Sequence, residues 1–250
     1  MKKGLLAIIT WLTGICMFTV SAQQRAQSSQ YMVNQFLLNP ALAGSEEYAD
    51  LRAGYRNQWL GLKGGPVTFY ATAHMPVRMQ SDSRLGRHKT QRTNRGWHGI
   101  GANIYNDITG PTARTGFALA YAYHLPLSSA VKMSLEAFAG FQQFRINGDD
   151  FILHDEKDNV LNGKQTSIVP DMSLGAWFYS KESYLGLTMG QVLQSKLDIA
   201  AVDNGSASKL VHHYYVTAGH RFHISHDLDI VPSFMLKAVQ PAPVSVDLNA

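Results

Sequence analysis

The sequence has one cysteine, little charge and no long apolar segment beyond its first residues. Cys16 is the only cysteine in 250 residues, which excludes a fold held by intramolecular disulfides. Charged residues make up 16% of the chain, below the roughly 25% usual in soluble domains. After residue 20 no stretch approaches the ~18 apolar residues of a membrane-spanning helix. Such a chain has to be stabilised by packing, by backbone ladders or by a membrane.

The sequence also lacks the motifs that mark catalytic, metal and phosphate sites. No G-x-S-x-G nucleophile elbow occurs, and the glycines of segment 61–65 lack the strand-to-helix context of a phosphate loop. The acidic segment 149–158 lacks EF-hand spacing. The five histidines of segment 212–226 alternate between strand faces and make no compact tetrahedral set. We therefore predict no enzymatic activity, no metal and no cofactor.

The first 22 residues have the pattern of a secretory signal peptide. Lys2 and Lys3 precede an uncharged apolar segment at 4–20, and V-S-A at 20–22 offers small residues for cleavage. Ile15 is too large to precede a lipidated cysteine at position 16. Cleavage lowers the formal net charge of +4 by the two lysines, so charge does not indicate a nucleic-acid partner.

Alternating apolar and polar residues predict β-strands from residue 50 onward, with no amphipathic helix between them. In most of these strands the second face carries Gly, Ala, Ser, Thr or a charge, which suits a crowded barrel interior with lipid on the other side. One strand, at 131–142, reaches about eleven residues, enough to cross a bilayer at a tilt. Ten strands of this kind predict a transmembrane antiparallel up-and-down β-barrel of the outer membrane.

The predicted organisation is a signal peptide at 1–22, an N-terminal lead-in at 23–48 and a barrel domain at 49–250. Outer-membrane barrels usually end on an aromatic residue. Ala250 is not aromatic, so we expect the barrel domain to be incomplete. Short connections at 125–130, 180–183 and 225–227 should face the periplasm and longer ones the outside.

Three motifs stand in fixed order near the start: Q-Y-M at 30–32, N-P-A-x-A-G at 39–44 and Y-R-N-Q-W-x-G-x-x-G-x-P at 55–66. Together with N-D-x-x-G-P at 106–111, they resemble the PorP/SprF family of Bacteroidetes outer-membrane proteins. The resemblance extends over almost all of the mature chain. The residues that carry it, in structural or partner-binding roles, are Asn39, Pro40, Ala41, Gly44, Arg56, Gln58, Trp59, Gly61, Gly65, Pro66, Asn106, Asp107, Gly110 and Pro111.

The resemblance implies a non-enzymatic barrel in the outer membrane, with the lipid bilayer as its surroundings. It would serve type IX secretion or gliding motility by acting in the secretion or surface anchoring of cargo such as adhesins. Its partners would be periplasmic or outer-membrane components of that machinery. The small inner-face side chains also permit the alternative of a porin-like channel for a small solute.

The lead-in should lie against the barrel. Pro40 restricts the backbone, and the small residues Ala41 and Gly44 allow close approach. We therefore expect the lead-in near the periplasmic mouth of the barrel or inside it. The aromatic residues Trp59, Trp97 and Tyr184 lie near strand ends, which favours an aromatic belt at the membrane surface over ordinary core filling.

The segment at 78–95 breaks the rule of short periplasmic turns. Six of its residues are Arg or Lys and Asp82 is its single acid. This composition fits a solvated loop or a docking surface for an acidic periplasmic protein. The docking candidates are Arg84, Arg87, Lys89, Arg92 and Arg95.

Overall fold

The computed structural model describes residues 31–77, 96–148, 163–197, 209–239 and 242–250. The lead-in contributes three 3₁₀ turns, at Tyr31–Val33, Gln35–Leu37 and Pro40–Leu42. Everything else that is regular in the described ranges is strand. The strands are β1 (Asp50–Asn57), β2 (Val67–Val77), β3 (Trp97–Thr109), β4 (Thr112–Pro126), β5 (Lys132–Asn147), β6 (Lys164–Tyr179), β7 (Ser183–Gly190), β8 (His213–His220), β9 (Phe222–Ser225), β10 (Leu228–Ile230), β11 (Ser233–Val239) and β12 (Ala242–Asn249). Within the described ranges no helix is long and apolar enough to cross a membrane.

Ten of the strands form one antiparallel sheet in chain order. The order is β1 to β8, then β11 and β12, with each strand hydrogen-bonded to the strands next to it in this order. Strands β9 and β10 form a separate two-stranded hairpin between β8 and β11. The predicted all-β, up-and-down arrangement of ten strands is therefore confirmed. In this sheet β1 and β12 occupy the two edges.

The longest strands exceed the sequence estimate. Strand β5 runs for 16 residues, because Phe144 and Ile146 continue the ladder with β6 beyond the last residue of the predicted strand. The Asn, Asp, Gly and Pro residues of segment 106–111 favour a turn, but the turn in the structure is shorter than this segment. Asn106 and Asp107 lie within β3, and only Gly110 and Pro111 separate β3 from β4. Gly110 adopts a φ of 55°, a left-handed conformation that glycine takes without strain.

The two faces of the sheet have opposite chemistry, and large apolar residues are on the exposed side. In β4 the alanines at 118, 120 and 122 are buried, whereas Leu119 and Tyr121 between them are exposed. The same alternation holds in β5, where Ser134 and Glu136 are buried and Leu135 is exposed. This pattern is the reverse of a soluble sandwich and confirms the predicted division of faces.

The sheet curls around the lead-in. Asn34 bonds to Thr72 in β2, while Leu38 packs against Tyr215 in β8 and Met235 in β11. In a flat sheet β2 and β11 would lie seven strand spacings apart, roughly 34 Å. Four residues of chain reach at most ~14 Å. The face that touches the lead-in is therefore concave, and we call it the inner face; the other is the outer face.

Candidate functional site

The conformation of the lead-in is fixed locally by Asn39 and Pro40. The Asn39 side-chain oxygen accepts a hydrogen bond from the Ala41 amide at 3.0 Å, which caps the third 3₁₀ turn. Pro40 occupies the first position of that turn, where a missing N–H costs nothing. The segment then reverses at Gly44, whose φ is 76°. The short polar and small residues of the motif thus produce a compact, hydrogen-bonded turn structure.

Phe36 is the apolar centre of the lead-in. Its side chain is 2% exposed and packs with the buried alanines of β4 and with Phe138. The Phe36 ring lies 4.8 Å from the His74 ring and 6.5 Å, edge to face, from the Phe138 ring. A Cβ on Gly101 would lie 2.7 Å from the Phe36 ring. One large side chain of the lead-in therefore fills the space that small residues of the inner face leave.

Two asparagines attach the lead-in to strands on opposite sides of it. Asn34 Nδ2 donates to Thr72 Oγ1 in β2 at 2.9 Å. Asn39 Nδ2 donates to the carbonyl oxygens of Ala176 in β6, at 3.1 Å, and Leu187 in β7, at 3.4 Å. Both asparagines are buried. Because these bonds run to distant strands, they fix the lead-in relative to the whole curl of the sheet rather than to one hairpin.

The C-terminal end of the lead-in is held by backbone contacts at the ends of β3 and β4. Ala43 O accepts from His124 Nε2 at 2.7 Å, and Gly44 O accepts from Trp97 Nε1 at 2.8 Å. The His124 and Trp97 rings stack, with centroids 4.8 Å apart and 2° between their planes. A Cβ on Gly99 would collide with the Ala43 carbonyl. We call His124, Trp97 and Gly99 the clamp.

The clamp extends outward through polar aromatic contacts. The Tyr179 hydroxyl lies 2.9 Å from His124 Nδ1. The Lys132 ammonium lies over the Trp97 ring, 5.2 Å from its centroid, and 5.7 Å from that of Tyr179. Cation–π contacts of this kind stabilise by about 0.5–2 kcal/mol. The end of the lead-in is thus enclosed by residues from β3, β4, β5 and β6.

The prediction of an aromatic belt is wrong for Trp97 and Tyr184, which both point inward. Tyr184 stacks on Trp177 at 4.8 Å, and its hydroxyl accepts from Gln35 Nε2 at 2.8 Å. The phase of the alternation carried this information. Trp97 lies on the same face of β3 as Gly99 and Gly101, the face with small residues. Tyr184 lies on the same face of β7 as Gly186. Proximity to a strand end was a weaker indicator than that phase.

The remaining motif residues meet at the other end of the sheet, in the β1–β2 connection. Gln58 N donates to Pro66 O at 2.9 Å, and Gly110 N donates to Gly64 O at 3.0 Å. A Cβ on Gly65 would lie 2.6 Å from Gln58 O. The connection is therefore compact, and it is hydrogen-bonded to the β3–β4 turn. It also contains Trp59, with φ 54° and an exposed ring, and Gly61; Arg56 lies near the end of β1.

The motif residues therefore form two groups, which lie at opposite ends of the strands. Asn39, Pro40, Ala41 and Gly44 belong to the lead-in, at the end of the sheet where the clamp lies. The residues from Arg56 to Pro66 lie at the opposite end, beside Asn106, Asp107, Gly110 and Pro111. The docking candidates Arg84, Arg87, Lys89, Arg92 and Arg95 lie outside the described residues.

Several polar residues of the inner face were not singled out as site residues from the sequence. Arg114 Nε donates to Gln142 Oε1 at 3.0 Å, and Gln142 Nε2 donates to Asp171. Glu136 is buried near Gly175 and the Asn39 side chain, and both its carboxyl oxygens lack a hydrogen-bond partner within the described ranges. No three His, Cys, Asp or Glu residues in the described part of the chain are arranged to hold a metal ion.

A curled antiparallel sheet with apolar side chains outside and small or polar ones inside is the architecture of a transmembrane β-barrel wall. The model of one family, described as the type IX secretion system membrane protein PorP/SprF, matches residues 20–250. The chain therefore belongs to the PorP/SprF family and is a membrane protein of the type IX secretion system. Searches of curated proteins and of solved structures found no match.

Proposed function

We propose that this protein is a non-enzymatic component of the outer membrane that supports type IX secretion and gliding motility by binding. Its role is to secrete or anchor surface cargo through partners in the periplasm. The supporting observation is the position of the lead-in, whose residues Phe36, Asn39 and Ala41 are buried against the inner face. A protein that fills its interior with its own chain is suited to anchoring and docking.

The alternative, a channel for a small solute, requires a continuous water-filled path through the barrel. The buried polar side chains of the inner face, Gln142 and Asp171 among them, favour such a path. The lead-in opposes it, because Phe36 and Leu38 pack on strands from β2 to β11. On balance the filled interior favours the binding role.

The basic segment 78–95 supports a docking role through its position in the chain. It connects the end of β2 to the start of β3. Those same strand ends touch the lead-in, since a Cβ on Gly44 would lie 2.7 Å from Gly99 Cα and 3.1 Å from Pro76 Cα. The strand ends that flank the segment therefore lie next to the clamp. We infer that this end of the barrel faces the periplasm.

Ion conductance in planar bilayers tests the binding role against the channel. We expect the full chain to conduct little, because the lead-in occupies the interior. A variant lacking residues 31–45 should conduct more if it folds, as judged by heat-modifiable gel mobility. Affinity capture from cells should recover periplasmic components of the secretion machinery with the full chain. Steady conductance by the full chain, without captured partners, would favour the channel.

A further inference from the structure

The β9–β10 hairpin continues β8 and β11 beyond the ends of the neighbouring strands β7 and β12. His220 N donates to Pro232 O at 3.1 Å, so the β8–β11 ladder continues toward the hairpin. On one side β7 begins at Ser183, opposite His220. On the other side β12 ends at Asn249, opposite Ser233. Past these points no strand of the described chain flanks the hairpin.

The hairpin has a charged face whose groups pair with one another. His223 Nδ1 and Asp229 Oδ1 lie 2.6 Å apart on opposite strands, and Arg221 Nε lies 3.8 Å from Asp229 Oδ2. These pairs are exposed, so each contributes little to stability. Their importance is geometric, because they fix which side of the hairpin is polar.

The opposite side of the hairpin is apolar and uncovered. Phe222 and Ile230 are cross-strand neighbours, with exposed fractions of 48% and 41%. Ile224 and Leu228 nearer the tip are exposed by 59% and 51%. An isolated two-stranded hairpin is marginally stable in water, and water contact with four large apolar side chains is unfavourable. The apolar side therefore needs a covering partner.

The apolar side continues the outer face of the barrel wall. The His220 ring, in β8, lies 4.4 Å from the Phe222 ring. In β11 the exposed residue Phe234 follows Ile230 by four positions, which is the same phase of the alternation. The outer face of the wall is lipid-facing in a membrane barrel. Because the apolar side of the hairpin continues this lipid-facing surface, we expect lipid to cover it as well.

We propose that the β9–β10 hairpin inserts its apolar side into the membrane, at the boundary of acyl chains and head groups on the side of the short turns. Phe222 and Ile230 contact lipid, while the His223–Asp229 pair faces away from it. This amphipathic division is the β-strand counterpart of an interfacial helix. The hairpin thus widens the contact between protein and bilayer beyond the barrel wall.

Single-cysteine fluorescence tests the proposal, because the mature sequence contains no other cysteine. The chain without its first 22 residues, which include Cys16, carries Phe222→Cys, His223→Cys, Asp229→Cys or Ile230→Cys, each labelled with an environment-sensitive dye. Each variant is folded into vesicles of dioleoylphosphatidylcholine with or without a doxyl-labelled phosphatidylcholine. Heat-modifiable mobility selects folded protein, and Leu135→Cys on the outer face of β5 serves as the lipid-exposed reference.

We expect a blue-shifted emission and doxyl quenching at positions 222 and 230, and neither at 223 and 229. Quenching that is absent from all four positions, while Leu135→Cys is quenched, would overturn the proposal in favour of a protein partner or water. Disulfide-linked dimers of Phe222→Cys formed in preference to lipid contact would overturn it in favour of a second copy of the chain. The alternation between neighbouring residues makes the result independent of the overall depth of the hairpin.

Discussion

The carbonyl oxygen of Ala43 accepts a hydrogen bond from Nε2 of His124, 2.7 Å away and 81 residues later in the chain. The same carbonyl faces Gly99 so closely that no side chain fits there. Both contacts engage the backbone of the lead-in rather than a particular side chain. The clamp therefore recognises the path of residues 43 and 44, which the Asn39–Pro40 turn and the reversal at Gly44 determine.

Replacement of His124 by Ala should weaken the attachment of the lead-in. The buried Ala43 carbonyl would lose its donor, and an unsatisfied buried acceptor costs about 1–3 kcal/mol. Denaturant unfolding in detergent micelles measures the change. Tyr179→Phe is the control, since it removes only the hydroxyl beside His124 Nδ1 and should have a smaller effect. Equal unfolding midpoints for His124→Ala and the parent would show that the clamp does not support the lead-in.

Replacement of Gly99 by Ala should displace the lead-in from the clamp. The new methyl group meets a backbone carbonyl, which cannot rotate away, and overpacking of this kind costs about 1–3 kcal/mol. Limited proteolysis of folded protein should then cut the lead-in faster. Gly54→Ala is a matched control on the same face, because the atoms nearest the added methyl belong to the Tyr70 side chain rather than to backbone. If both variants resist protease like the parent, the close contact at Gly99 is not required.

The alternation of the sequence predicted the strands and their two faces because period two is a local property of a sheet. In the strand predicted at 131–142, period two places Leu135 and Glu136 on opposite faces, and the structure has Leu135 exposed and Glu136 buried. Close contact of the lead-in was expected from Pro40 and Gly44, but its partners could not be. Trp97 and His124 lie 53 and 81 residues further along the chain than the lead-in residues they bond, and only the curl of the sheet brings them to residues 43 and 44.

Phe36→Ala should lower stability more than any change at the surface of the lead-in. The side chain fills the inner face beside Phe138 and His74, and truncation of a buried Phe costs about 3–5 kcal/mol. Val33→Ala, at an exposed position in the same segment, should cost little. Unfolding midpoints compare the two. A small loss in Phe36→Ala would mean that the lead-in contributes little to the folded state.

Leu135→Arg should impair folding into lipid vesicles, while Glu136→Gln should fold like the parent. Leu135 is 49% exposed on the outer face, where Arg costs about 2–4 kcal/mol at the bilayer midplane and less towards the interfaces. Glu136 is buried on the inner face, and Gln keeps its size without bringing a charge into the interior. Heat-modifiable gel mobility reports the folded fraction. Normal folding of Leu135→Arg together with failure of Glu136→Gln would reverse the assignment of the faces.

Replacement of Arg84, Arg87, Lys89 and Arg92 by Ser should leave the barrel folded while secretion or gliding falls. The segment carries six basic residues against one acid, and attraction of an acidic partner by such a segment mainly raises the association rate. Salt should therefore slow partner binding to the parent more than to the variant. Lys in place of the three arginines preserves the charge and should preserve function. Normal secretion and gliding by the Ser variant would show that the segment is only a solvated loop. Labelling of a Ser83→Cys variant from outside intact cells would show that the barrel has the opposite orientation in the membrane.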